Sequence, residues 1–277
     1  MNQKTLVLLF LFASCTASKK IQVSNNTNHF PVAVEKVKSL PLKENFYIFI
    51  LAGQSNMAGR GFVQPMDTIS SPLVLTLDKD NEWVYAKEPL HYYEPLRTGL
   101  DCGLSFGKKL AAFYGKNITI GLVPCAVGGS SIEQWLADST FRNVTLYTNL
   151  VRKVKAAAEY GIIKGLLWHQ GEANAGADNY KNYKEKLETF FTKIRTDFSA
   201  PELPVYAGEL SSFLNRKTNP FADSVNNDLH DLSVTVKNMY VIKTGDLTSK
   251  SDTVHFDSRS QRKMGKRFAK TVYKTAY

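Results

Sequence analysis

Hydrophobic residues recur along this chain in two rhythms that alternate. The run 46–51, Phe-Tyr-Ile-Phe-Ile-Leu, is continuously apolar or aromatic and ends at a glycine-flanked turn. Such runs belong to strands buried on both faces, as in a parallel sheet. Comparable runs stand at 118–123, 162–168, 205–210 and 239–243. Between them the spacing changes to threes and fours. Leu146, Leu150 and Val154 step toward Gly161, a residue suited to closing a helix. Tyr183, Leu187, Phe190 and Ile194 mark an amphipathic helix over about 180–198. Further helices are expected over 103–114, over 223–236 and from 258, where Met264, Phe268 and Val272 share a face. The stretches 73–77 and 83–86 flank Asp78-Lys79-Asp80-Asn81 and read as an inserted β-hairpin.

Strands alternating with helices predict an α/β fold, a three-layer α/β/α sandwich on a mostly parallel sheet of about five strands. Ligands in such sheets bind beyond the carboxyl ends of the strands. Segments directly after strands therefore carry more functional weight than segments inside helices.

Composition adds boundaries. Lys4 precedes an apolar run at 6–12, followed by Ala13, Ser14 and Cys15. This reads as a secretory signal over 1–17, too short for a comfortable membrane span. Phe12-Ala13-Ser14-Cys15 resembles a loose bacterial lipoprotein box, which would make Cys15 a lipidated N-terminus; cleavage after Ala17 is the competing outcome. Export to the periplasm, the cell surface or the medium is the expectation. Residues 18–44 read as a tether and 45–277 as the domain. The 277 residues carry a net charge of +10. Their Lys and Arg residues lie along helix-like stretches such as 180–195 rather than interleaved with aromatics, so nucleic-acid binding is not expected. Cys102 and Cys125 fall near one edge of the sheet; a disulfide and two buried thiols both remain open. Oligomeric state is left open as well.

Four segments fall at the strand ends. Gly53-Gln54-Ser55-Asn56-Met57-Ala58-Gly59 puts a serine on a tight turn, where alone it would read as a helix cap. It lacks the second glycine of the α/β-hydrolase elbow, since Met57 stands there. Val127-Gly128-Gly129-Ser130-Ser131 could let a backbone N–H approach an anion, or be an ordinary turn. Trp168-His169-Gln170-Gly171-Glu172 crowds polar side chains at a strand end, which is costly unless they are partnered. A metal reading of that segment is weak, because no further His or Cys stands at ligand spacing. Asp252-Thr253-Val254-His255 places a carboxylate where it can fix an imidazole tautomer.

Taken in order, these four blocks resemble the signature blocks of the SGNH hydrolase superfamily. More narrowly they resemble its sialate O-acetylesterase-like branch, carbohydrate esterase family 6, which includes acetylxylan esterases. The likeness spans about residues 45–273. It implies the flavodoxin-like SGNH fold, no metal or organic cofactor, and an acetylated carbohydrate as substrate. It also implies roles: Ser55 as nucleophile, His255 as base, and Asp252 or Glu172 as orienting acid. The oxyanion hole would comprise the Ser55 and Gly129 N–H groups (Gly128 being the weaker candidate) and the Gln170 side chain. Gln170 departs from the Asn usual in the superfamily but suits this branch. The resemblance points to acetylxylan, with sialate or another acetylated glycan as the alternative. A catalytically inactive surface protein that binds polysaccharide is the reading from another class.

Overall fold

The computed structural model describes residue 27 and residues 29–276. In chain order the first half holds β1 (Phe46–Gly53), α1 (Ser55–Ala58), β2 (Val74–Leu77), β3 (Trp83–Tyr85), α2 (Gly103–Tyr114) and β4 (Thr119–Pro124). Then come α3 (Ile132–Leu136), the short pair β5 (Thr140–Phe141) and β6 (Val144–Thr145), α4 (Leu146–Ala158) and β7 (Ile162–His169). The chain continues through α5 (Tyr183–Asp197), β8 (Val205–Gly208), α6 (Ala222–Thr235), β9 (Met239–Ile242) and α7 (Ser258–Thr275).

Among the described residues, seven strands form one sheet in the order β3-β2-β4-β1-β7-β8-β9. All neighbours run parallel except β3, which pairs antiparallel with β2. The sheet has more strands than the periodicity suggested, because the hairpin joins its edge instead of standing apart. β2 pairs with β4 through Val74–Ile120 and Leu75–Gly121.

The continuous apolar run of β1 has a direct cause in the layering. Phe46, Ile48 and Ile50 face the core beneath α4, α5 and α6, while Phe49 and Leu51 face the core beneath α2 and α7. A strand covered on both faces has no polar side to offer. The same layering separates the cysteines. Cys102 lies in the α2–α7 core and Cys125 in the opposite one, so both are buried free thiols.

The stretch 18–44, expected as a tether, folds onto the domain in its later part. Tyr85 N donates to Glu35 O at 2.9 Å, and Lys36 bridges Val84 antiparallel. Val37 and Leu40 pack against the core, which anchors this segment along the sheet edge. The signal region 1–17 and Cys15 lie outside the described residues.

Phe106 on α2 is fully buried and meets Phe49 edge-on at 4.9 Å between ring centroids. Phe106→Ala should cost about 3–5 kcal/mol of stability, read from the urea midpoint at unchanged slope. A loss below about 1 kcal/mol would show that the layer does not depend on this contact.

Candidate active site

The site begins where β1 ends. Gly53 adopts φ +129°, and a Cβ there would lie 2.1 Å from His169 O on β7. Only glycine allows that approach. Gln54 N donates to the same carbonyl at 2.9 Å, and Val127 N donates to Gly53 O at 3.1 Å. The ends of β1, β4 and β7 are thereby drawn together. Ser55, the first residue of α1, is 7% exposed at this junction.

The candidate base, His255, arrives from the far side of the sheet, in the loop between β9 and α7. Lys250 N donates to His255 O at 2.8 Å, and Ser249 bridges Phe256, closing a small hairpin around residues 250–253. At its tip Asp252 Oδ1 accepts the Val254 and His255 backbone N–H groups at 3.0 and 2.9 Å. Its Oδ2 lies 2.9 Å from His255 Nδ1, and His255 Nε2 lies 2.9 Å from Ser55 Oγ. Partial burial pushes the Asp252 carboxyl up, but the His255 backbone and side-chain bonds and the Val254 N–H outweigh it and hold it down to about 2. An ionised carboxylate only accepts, so His255 donates from Nδ1 and its Nε2 accepts the Ser55 hydroxyl proton.

Glu172 stands elsewhere. It accepts the Asn56 side-chain amide at 2.6 Å and makes no bond to His255. Asn56 in turn grips the residues on either side of His255, donating to Val254 O at 3.2 Å and accepting Phe256 N at 3.1 Å. The two candidate acids thus occupy different places: Asp252 on the imidazole, Glu172 behind the asparagine that anchors the imidazole's loop.

The resemblance implies that the Gln170 side chain donates to the oxyanion hole. It is fully buried, and its Nε2 lies 2.7 Å from Asn174 Oδ1 and 3.2 Å from both Gln54 Oε1 and Ser130 O. Two amide hydrogens facing three protein acceptors are already committed. Gln170 braces the Ser130 carbonyl and the Gln54 side chain instead.

In the Gly-Gly turn, Gly128 N donates to Glu94 Oε2 at 2.7 Å and Ser130 N donates to Val127 O at 3.3 Å. Gly129 stands between them at φ +79°, a conformation suited to glycine. A Cβ on Gly128 would lie 2.0 Å from Arg60 Nη2, which pairs with Glu94 at 2.6 Å. Sequence reading did not single out Asn56, Arg60, Glu94 or Arg142. Asn56 lay inside the first block and could have been read as a tie; Glu94 sits in an aperiodic stretch that carried no signal.

Residues 45–274 match the family described as carbohydrate esterase, sialic acid-specific acetylesterase. A probable carbohydrate esterase of Arabidopsis thaliana is 30% identical over 239 residues, covering 79% of this chain and 86% of that protein. An X-ray structure of a protein from Arabidopsis thaliana matches with TM-score 0.73 at 27% identity, covering 84% of this chain and 99% of that one. A carbohydrate acetylesterase from Xanthomonas citri shares the fold, with TM-score 0.58 and 18% identity over 81% of this chain and 55% of that one.

The Asp252 carboxyl lies below the ordinary aspartate range, so its contribution to stability is present above that range and is lost as pH falls toward about 2. The stability gap between wild type and Asp252→Asn should therefore narrow on acidification through pH 4 to 2. A gap that is constant or widens across that range would contradict the assigned pairing.

Proposed function

The chain belongs to the carbohydrate esterase, sialic acid-specific acetylesterase family, and from that premise we propose that it is a serine O-acetylesterase of acetylated carbohydrate. The observation that carries this reading is the unbroken relay from Ser55 Oγ through His255 to Asp252, each link 2.9 Å. The same relay weighs against an inactive glycan-binding protein, which would have no use for it.

His255 takes the Ser55 proton as Oγ attacks the acetyl carbonyl. The negative charge on the tetrahedral oxygen is met by the Ser55 and Gly129 N–H groups. His255 then gives its proton to the departing sugar hydroxyl, leaving an acetyl-serine. Water, deprotonated by His255, attacks that ester; the tetrahedral intermediate collapses, His255 returns the proton to Ser55 Oγ, and acetate leaves. These steps need no metal or organic cofactor.

Asp252 is the orienting acid in this reading, since it fixes the imidazole tautomer directly. Glu172 acts through Asn56 and sets where the His255 loop sits. Gln170 supports the oxyanion hole from behind, by holding Ser130 and Gln54, rather than by touching the oxygen.

Ser55→Ala should abolish hydrolysis of an aryl acetate and release of acetate from acetylated glycans while keeping the fold. Asp252→Asn should lower kcat by about 10⁴, because the amide favours the wrong tautomer. Glu172→Gln keeps an oxygen for Asn56 and should lose far less. Steady-state kinetics of the three variants decide it: an active Ser55→Ala, or a larger loss from Glu172→Gln than from Asp252→Asn, contradicts the assignment.

A further inference from the structure

α7 carries a charge pattern that neither the core nor the relay at Ser55 uses. Its eighteen residues include Arg259, Arg262, Lys263, Lys266, Arg267, Lys270 and Lys274 and not one carboxylate. Its apolar face is committed to the core, where Met264, Phe268 and Val272 are buried. The exposed positions of the helix are 259, 263, 266, 270 and 274, and each holds Lys or Arg.

A helix face that is merely solvated mixes its signs, as α5 does with Lys184, Glu185, Lys186 and Glu188. On α7 like charges stand four apart at Arg259 and Lys263, Lys266 and Lys270, and Lys270 and Lys274, where they repel. Arg259 and Arg262 also lie toward the positive end of the helix dipole. Asp246 answers Lys263 and Arg267, and Asp67 answers Arg262. Among the described residues Arg259, Lys266, Lys270 and Lys274 form no ion pair. α2, packed beside α7, adds Lys108 and Lys109 and again no carboxylate. Folding does not require this pattern, since Gln would keep the helix and lose the repulsion.

The same face presents apolar side chains. Met66 and Ile69 are exposed on a turn that is clamped to the two helices. Arg262 pairs with Asp67 at 2.6 Å, and Lys108 Nζ donates to Ile69 O at 2.6 Å. Met66, Leu104, Ala112, Lys108, Lys109 and Lys266 line the cleft between turn and helices. Cations along about 27 Å of helix, with apolar side chains beside them, suit an interface whose charge overlies an apolar layer. A strand-like polyanion would neutralise the cations and leave Met66 and Ile69 in water. Nor does α7 hold an aromatic at an exposed position for bases to stack on.

We propose that the α2–α7 face docks the protein on membrane surfaces rich in anionic phospholipid. The cations lie at the level of the phosphates, and Met66 and Ile69 reach the acyl boundary. α7 starts three residues beyond His255, so Ser55 stands at one end of the helix rather than beneath its exposed side. Docking therefore leaves acyl transfer unchanged and sets where it takes place.

The full chain is sedimented with vesicles of pure phosphatidylcholine and with vesicles in which phosphatidylglycerol replaces a third of it. The neutral vesicles measure any attachment that does not depend on charge. Wild type should bind the anionic vesicles at least about 100-fold more tightly, and the difference should shrink as salt is raised. Lys266→Gln/Lys270→Gln/Lys274→Gln should lower that affinity by about 100-fold, near 5-fold for each charge. Its kcat/KM on an aryl acetate should match wild type, and its melting temperature should not fall, because repulsion is relieved. Lys155→Gln/Lys184→Gln/Lys193→Gln removes the same charge from α4 and α5 across the sheet and should stay within about 3-fold of wild type. Met66→Ser should weaken binding by about 10-fold at every salt concentration. Wild type indifferent to phosphatidylglycerol, or equal losses in the two triple variants, overturns the proposal. So does tighter binding of duplex DNA or heparin than of the anionic vesicles, which assigns the face to a different polyanion.

Discussion

The close approach of three strand ends at Gly53 is the constraint on which the site depends. A carbonyl on β7 sits where a Cβ would otherwise be, and the Gly53 carbonyl itself receives Val127 N from beyond β4. Widening that junction by one methyl group would push Ser55 away from the Gly-Gly turn and from the β7 edge together. The sheet supplies rigidity and the glycine supplies proximity. The groups at the strand ends then need no long or mobile side chains to meet.

Around this junction the polar groups are tied in layers. Asn56 links the Ser55 helix to both neighbours of His255, and Gln261 Nε2 holds the Asn56 carbonyl at 2.9 Å. Gln54 Oε1 receives the Gly171 and Ala173 N–H groups at 3.3 and 3.1 Å, which fastens the start of the Gln170–Asn174 loop to the Ser55 turn. The buried amides of Asn56 and Gln170 are tolerable because they are partnered, and a partnered network fixes geometry more firmly than apolar packing alone. Glu94 plays the same part at the Gly-Gly turn. Although burial raises its carboxyl, the Arg60 charge and hydrogen bond together with Gly128 N–H and Arg142 hold it below the ordinary value. It therefore stays an acceptor.

Much of this was readable from the residues. The parallel core strands announced themselves because burial on both faces removes polar alternation, and α5 and α7 because one apolar stripe repeats every three or four residues. Ser55 and His255 were legible because topology sends both strand ends to one edge. The extra edge strands were harder, since a hairpin gives the same pattern whether it stands alone or joins a sheet. The short β5–β6 pair left no periodicity at all. Chemistry at a distance was harder still. Nothing in the sequence around Glu172 tells whether it reaches the His255 imidazole or an asparagine 116 positions earlier. A glutamine at a strand end reads equally as an oxyanion donor or a brace until its acceptors are seen. Side-chain bookkeeping, not pattern, separated those cases.

The central claim is that Ser55 Oγ is the atom that carries the acyl group. Covalent labelling addresses it directly: the intact protein is treated with an aryl fluorophosphonate, digested, and the modified residue located by mass spectrometry as activity is lost. The account predicts a single adduct on Ser55, formed in step with inactivation. An adduct on another residue, or full activity with Ser55 unlabelled, would contradict it.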